Sequence, residues 1–370
     1  MGARSSQSRG PGLNKSDGHL LEYSRQNFGA GGGGTNFVAS GISATGGNTV
    51  NDINQGGKNY RVHTFTASGS FIVSAPGSFG DTIEYLVVAG GGSGGQNLSG
   101  GGGAGGLRTN LSGHPLAAPS YPVSVGTYTV TVGAGGASQS THEARGNSGN
   151  DSEFYPPAAS YPNPAFIRAV KGGGGAGGAG GPTRDATSGG SGGGATGYAY
   201  APNTGAAGNT PTDPNHPQVQ GYRGGNNDSP PYGNNYIGGG GGGAGGVGLD
   251  GDSAGDSPTS GNGGPGVQVN IDGNDYYWAG GGGAASYTSA DANRKSGAGG
   301  IGGGGSGGSN SGVYGAGGGS ALNSGGTATD ANGGNGGENT GSGGGGCAHN
   351  NGPVSGSGGK GIVIIRYEIP

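Results

Sequence analysis

Glycine occurs in this chain in uninterrupted runs, such as residues 172–175 and 238–243, and that limits the fold more than any other feature. A residue without a Cβ has no side chain to bury, and ordering it costs about 0.5–1 kcal/mol relative to alanine. With 105 glycines among 370 residues and only 28% hydrophobic residues, these segments cannot form an ordinary apolar core. They order only if backbone atoms themselves pack. Composition alone reads as low complexity or disorder, yet a net charge of −4 gives little self-repulsion to hold the chain open. The runs also lack the every-third-residue register with proline that a collagen helix needs.

The apolar exceptions frame the glycine. Upstream stands Asp81-Thr82-Ile83-Glu84-Tyr85-Leu86-Val87-Val88-Ala89-Gly90, and the chain closes on Gly361-Ile362-Val363-Ile364-Ile365-Arg366-Tyr367-Glu368-Ile369-Pro370. In the first, Thr82 and Glu84 alternate with Ile83 and Tyr85, a half-buried strand, before Leu86, Val87 and Val88 become apolar on both faces. The second runs the other way, two-faced over 362–365 and then alternating. Each two-faced end abuts glycine, so the simplest pairing is antiparallel with those ends together.

Further strands are expected over 60–66 and 70–74, joined as a hairpin by Ala67-Ser68-Gly69, and over 107–111, 127–132 and 166–170. In the 127–132 strand Tyr128, Val130 and Val132 share one face. The fold class is therefore all-β: an antiparallel sheet or sandwich platform over about 60–135 plus 361–369, and a Gly-rich body with long loops over 136–360. Residues 28–59 read as a Gly/Asn-rich tether with weak strands at 36–42. Residues 1–27 read as an N-terminal arm, with Leu20, Leu21, Tyr23 and Phe28 as its apolar anchors. A disordered tail and an arm that orders only on another subunit both fit that composition.

The order of three motifs, Tyr85-Leu86-Val87-Val88-Ala89-Gly90-Gly91-Gly92, Tyr128-Thr129-Val130-Thr131-Val132-Gly133-Ala134-Gly135-Gly136 and Gly361-Ile362-Val363-Ile364-Ile365-Arg366-Tyr367, resembles the glycine-rich domain of bacteriophage tail fibres and related virion surface proteins. The resemblance covers roughly residues 60–370 and leaves the arm outside. It implies a body of polyglycine II helices and an adhesin on the virion surface, with no catalytic motif. Physics allows such a body: a left-handed helix of three residues per turn and ~3.1 Å rise has no internal hydrogen bonds, so its N–H and C=O groups point to neighbouring helices. Central tracts should be nearly pure glycine, as at 238–243, while peripheral ones carry Ala, Ser or Asn on the outward third residue.

The sequence carries no motif that points to chemistry, and the expectation is no enzyme, no cofactor and no metal. Strings of the GxGxxG type are frequent by chance here, and Gly361 stands where a phosphate-binding loop would need Ser or Thr after Lys360. Gly245-Gly246-Val247-Gly248-Leu249-Asp250 matches the start of a calcium β-roll repeat, but it occurs once and Asp252 falls where an apolar residue belongs. Asp250, Asp252 and Asp256 thus read as turn residues, and Gly261 at position 12 excludes an EF-hand. Cys347 has no second cysteine to bond, and with His349 makes only two soft ligands. His19, His63, His114, His142, His216 and His349 are scattered, without a nucleophile elbow or paired carboxylates. Without a basic stripe, nucleic acid is not an expected partner. A soluble chain is expected, with no membrane insertion and no export signal.

What remains are loop aromatics. Tyr198, Tyr200, Tyr222, Tyr232 and Tyr236 crowd one region rich in Asn, Pro and Gly, and Tyr276, Tyr277 and Trp278 sit beside the 280–285 tract. Rigid rings among Ser, Gly and Asn suit a receptor-binding surface, either for host polysaccharide or for an outer-membrane protein. The same rings also suit lids that lie across the glycine body. The function expected is a tail-fibre or tip adhesin, with a capsid decoration or head-fibre protein as the alternative. No coiled-coil heptad is visible, and a homo-oligomer is left open.

Overall fold

The computed structural model describes residues 40–370 apart from 79, 158, 179–184, 199–203, 228–235, 253–258, 288–293, 311 and 350–351. Residues 40–370 form one compact unit. The arm anchors Leu20, Leu21, Tyr23 and Phe28 lie outside the described residues. The strands are β1 (Ser43–Thr45), β2 (Thr49–Gln55), β3 (Lys58–Phe65), β4 (Gly69–Ala75), β5 (Thr82–Val88), β6 (Leu107–Thr109), β7 (Tyr121–Pro122) and β8 (Gly126–Thr131). They continue as β9 (Ser152–Tyr155), β10 (Ile167–Ala169), β11 (Tyr236–Ile237), β12 (Val267–Gln268), β13 (Tyr277–Trp278), β14 (Ser286–Tyr287) and β15 (Ile362–Ile369). No helix occurs among the described residues.

Two antiparallel sheets make the platform. One has the order β2-β3-β15-β5-β6, with β7 also on β5; the other has the order β1-β4-β8-β9-β10. β15 lies between β3 and β5 and is antiparallel to both, with Ile362 opposite Val88 and Arg366 opposite Glu84. The two glycine-side ends therefore meet, as their polarity requires. Inward residues of the two sheets, Phe65, Tyr85, Val87, Val363 and Ile365 against Phe71, Val73, Tyr128, Val130 and Phe154, share one core. The intervening residues Leu86, Val88, Ile362 and Ile364 point to the other face and enter a second core with Val269, Ile271 and Trp278. That second core is why this stretch is apolar on both sides.

Two local readings of the sequence are corrected. β3 and β4 belong to different sheets, so residues 66–68 cross the sandwich instead of closing a hairpin. Phe65 and Phe71 flank this crossing and are both buried in the core between the sheets, which facing layers allow. The tight hairpin lies earlier, where Gly56 and Gly57 take φ of 62° and 80° and bring Gln55 opposite Lys58. That left-handed pair is what a two-residue turn demands. β1 and β2, within the stretch read as a tether, are thus sheet strands. β2 carries alternating polar residues because both its faces are largely exposed.

Beyond the strands, backbone hydrogen bonds hold the glycine body together. Along the tract that leaves β5, the N–H groups of Ala89, Gly92 and Gly95 reach the carbonyls of Gly106, Gly103 and Gly100. Those of Gly90, Ser93 and Gln96 reach Asn150, Asn147 and Ala144, and those of Gly91 and Gly94 reach Gly359 and Gly356. The carbonyls of Gly90, Ser93 and Gln96 accept from Gly172, Gly175 and Gly178, and that of Gly92 from Gly344. Partners thus repeat every third residue, and neighbouring stretches surround the tract. A Cβ on Gly101 would strike the Gly282 carbonyl, and one on Gly282 would strike the Gly344 carbonyl. This explains the requirement for glycine.

Peripheral tracts show the same repeat in exposure. Gly334, Gly337 and Thr340 are buried while Asn332, Asn335 and Glu338 are exposed. The outward asparagines are not idle: Asn332 Oδ1 accepts the Val354 N–H at 2.8 Å and Asn335 Oδ1 that of Ser357 at 3.0 Å. Each replaces a carbonyl that a missing outer neighbour would have supplied. The central tract 89–106 is less pure than expected, since it holds buried Ser93, Gln96 and Ser99. Their side chains bond backbone directly, as Ser93 Oγ accepts the Asn147 N–H at 2.8 Å and Ser99 Oγ donates to the Gly95 carbonyl at 2.6 Å.

Candidate functional site

Tract direction decides which loops meet. The tract from β5 runs out to Asn97 and Leu98, whose φ values of 66° and 52° reverse the chain, and residues 99–106 return to β6. Residues 172–178 and 279–285 run outward with it, while 238–244 run back beside 101–104. The body therefore has a sheet end and a far end, and successive turns alternate between them.

At the far end, four rings from separate turns form a row. Tyr236 and Tyr287 are cross-strand partners on β11 and β14, with centroids 5.8 Å apart. Tyr198 stacks on Tyr236 at 5.6 Å and 15°, and His349 meets Tyr287 edge-on at 5.0 Å. All four are half-buried. His349 Nδ1 donates to Asn97 Oδ1 at 2.8 Å, which ties the row to the reversing turn. Leu98, buried at that turn, accepts from the Thr196 hydroxyl at 3.1 Å. Beneath it Cys347 Sγ accepts the Asn97 N–H at 3.4 Å, and burial pushes its thiol up to about 11. It is a neutral packing group at physiological pH.

The other predicted aromatics are placed elsewhere. Tyr276, Tyr277 and Trp278 are at the sheet end. Trp278 is fully buried against Leu86 and Ile364, with Nε1 donating to the Val269 carbonyl at 2.9 Å. Tyr276 packs edge-on against it at 5.9 Å, and Tyr277 is half-buried on β13. Tyr222 is exposed, and its backbone N–H bonds the Gly243 carbonyl within the body. Tyr200 and Tyr232 lie outside the described residues. Of the eight aromatics, the structure pairs Tyr276 with Trp278 at the sheet end and Tyr198 with Tyr236 at the far end, and to the latter it adds Tyr287 and His349, which sequence reasoning did not group with them. The available signal was parity: the end of an outward tract at 285 and the start of an inward one at 238 must share an end.

Of the acidic turn residues, Asp250 bonds Asn226 N–H at 2.8 Å and faces Arg223 Nη1 at 3.5 Å, which fastens two outer tracts. Asp256 lies outside the described residues. In the platform, Arg366 of β15 is buried, with Nε on Glu84 Oε2 at 2.7 Å, Nη1 on the Ile271 carbonyl at 3.1 Å and its guanidinium 4.2 Å from the Tyr60 ring centre.

An antiparallel β platform carrying a glycine body bonded through its backbone defines the class of this protein. Residues 66–338 match the glycine-rich domain family, and the chain belongs to it. No curated protein matches the chain.

Proposed function

We propose that this chain is a bacteriophage virion surface protein, a tail-fibre or tip adhesin that contacts a host receptor through the far-end loops. The observation that carries the reading is the row Tyr198, Tyr236, Tyr287 and His349. It sets rigid amphipathic rings at the end of a body whose backbone bonds leave little freedom. Rings held in place give contact area at low entropic cost. The tracts are, in this reading, polyglycine II helices, supported by bonding and exposure that repeat every third residue. Eight residues from Ala89 at ~3.1 Å each would stand the row roughly 25 Å from the sheet. Residues 1–27 would attach to other virion proteins, and the receptor would be a surface polysaccharide or an outer-membrane protein.

The purified full-length chain should compete with the parent particle for host cells, and antibody labelling should mark the tail. Labelling over the whole head without loss of adsorption would instead make it a capsid decoration protein. Residue-resolved NMR dihedral angles test the helix type: tract glycines near φ −75° and ψ +145° in magnitude are expected. A β-like spread would refute polyglycine II.

A further inference from the structure

A cleft of about 400 Å³ opens at the platform edge beside β7 and β10, at the sheet end of the body. Its floor is backed by the buried rings of Tyr85, Tyr121 and Tyr128, and its open side is lined by the exposed Pro119, Pro122 and Pro164. Two of these rings are fixed by their hydroxyls. Tyr121 donates to the Ala165 carbonyl at 2.8 Å, and the Tyr128 oxygen accepts the Ser124 N–H at 2.8 Å. The facing wall is the loop around 211–218, held by Arg108 Nη1 on the Gln218 carbonyl at 2.5 Å. From this loop Asn215 and His216 enter the lining.

His216 does not stand alone. Its Nδ1 is 3.1 Å from Asp213 Oδ2, and both side chains are buried. Asp213 Oδ1 takes the Asn215 N–H at 2.9 Å, so each carboxylate oxygen already has a partner. The pairing fixes the ring and leaves Nε2 for an occupant of the cleft. Arg108 lies outside the lining and is buried, with Nε and Nη1 on the Arg168 and Gln218 carbonyls, and burial holds its pKa below the usual value although the Asp213 carboxylate acts to raise it. The cleft thus offers hydrogen bonds from hydroxyl, amide and imidazole groups, with no free charge in its lining.

We infer that this cleft binds a neutral sugar ring. A sugar has apolar faces to lay on the exposed Pro119, Pro122 and Pro164, and hydroxyl edges to meet His216 Nε2 and Asn215. A volume near the lower end of the ~300–1,000 Å³ typical of ligand pockets suits one or two rings. An anion would find no exposed cation in the lining, and a pure hydrocarbon would strand the His216 and Asn215 polar atoms without partners. Fixed rings also reduce the ordering cost of binding. The inference does not depend on the far-end row or on the adhesin reading.

Saturation-transfer NMR on the full chain with a panel of neutral methyl hexosides and N-acetylhexosaminides tests it, with oligoproline as the competing occupant. At least one glycoside should bind with a dissociation constant on the order of 1 mM. Ser120 is exposed at the rim, so Ser120→Trp should fill the cleft and abolish the signal while circular dichroism stays unchanged. His216→Ala should weaken binding by about tenfold, one lost hydrogen bond's worth. Silence from the whole panel at about 20-fold that concentration, a signal that survives Ser120→Trp, or binding of oligoproline alone would overturn the inference.

Discussion

The two ends of the glycine body carry loops of similar composition and put their aromatics to different uses. At the sheet end, Trp278 is buried and joins Leu86, Val88, Ile362 and Ile364, so that the ring fastens body to platform. At the far end, Tyr198, Tyr236 and Tyr287 stay half-buried; Tyr198 stacks on Tyr236, and Tyr287 is tilted against it. The difference follows from what each end can offer. Strands apolar on both faces provide a continuous carbon surface to bury against, whereas the far ends of the glycine tracts provide backbone with a few buried side chains such as Leu98 and Cys347. Aromatic content in such a chain therefore says little until the direction of each tract is known.

The contrast predicts a graded series of effects. Ile364→Asp should be the most severe, because an unpaired carboxylate in the second core costs several kcal/mol, comparable with the whole margin of a domain. Circular dichroism and hydrogen exchange should show platform and tracts lost together; retention of ordered tracts would mean the body stands without the sheet. Trp278→Ala should cost about 3–5 kcal/mol in denaturant unfolding. A loss no larger than that of a far-end tyrosine would erase the distinction between the ends.

Within the body, Gly282→Ala should destabilise by roughly 1–3 kcal/mol, since its Cβ meets a carbonyl that cannot retreat. Gly319→Ala, which meets open space, should stay within about 0.5 kcal/mol. Equal melting of the two variants would show that the tracts are not close-packed.

Acid should act on the platform. His63 is buried, with Nδ1 on the Gly46 carbonyl at 2.7 Å and Nε2 at 3.1 Å from the Tyr367 hydroxyl, and burial holds it below its usual range. The unfolded chain then takes up a proton that the native one does not. Stability is full above the unfolded value near 6.5 and falls as pH drops below it, by up to about 1.4 kcal/mol per pH unit. Urea titrations at pH 7.5 and 5.5 should show this slope, and His63→Gln should flatten it. The far end should lose less than the sheet end: Tyr236→Ala removes two ring contacts worth about 0.5–1.5 kcal/mol each, so the cost is about 1–3 kcal/mol, below that of Trp278→Ala. It should also reduce any receptor binding by the row.

The sheet was legible where polarity changes along a strand. The reversal between Thr82–Val88 and Ile362–Ile369 gave their antiparallel pairing and the meeting of their apolar ends. It could not tell a hairpin at 67–69 from a crossing between layers, because both need a short polar turn between apolar strands. Nor could it show β2 as a strand, since Thr49–Gln55 has too little apolar alternation to stand out. The far-end row was half visible. Tyr198 and Tyr236 fall in one tyrosine-rich region of the sequence, but Tyr287 and His349 join them only through the parity of the intervening tracts. The Asp213–His216 pair had no signature beyond ordinary loop residues.

The central position of β15 has a consequence for synthesis. The six-stranded sheet is split into a β2–β3 part and a β5–β6 part until residues 362–369 arrive between them. A ribosome adding roughly 5–20 residues per second takes on the order of 15–50 s to travel from β5 to β15. Throughout that interval Leu86 and Val88 lack β15 on one side, though β6 pairs them on the other, and the tracts lack the closed sheet at their base. The nascent chain thus carries an apolar strand edge facing solvent, the kind of surface that a holdase or a neighbouring nascent copy would occupy.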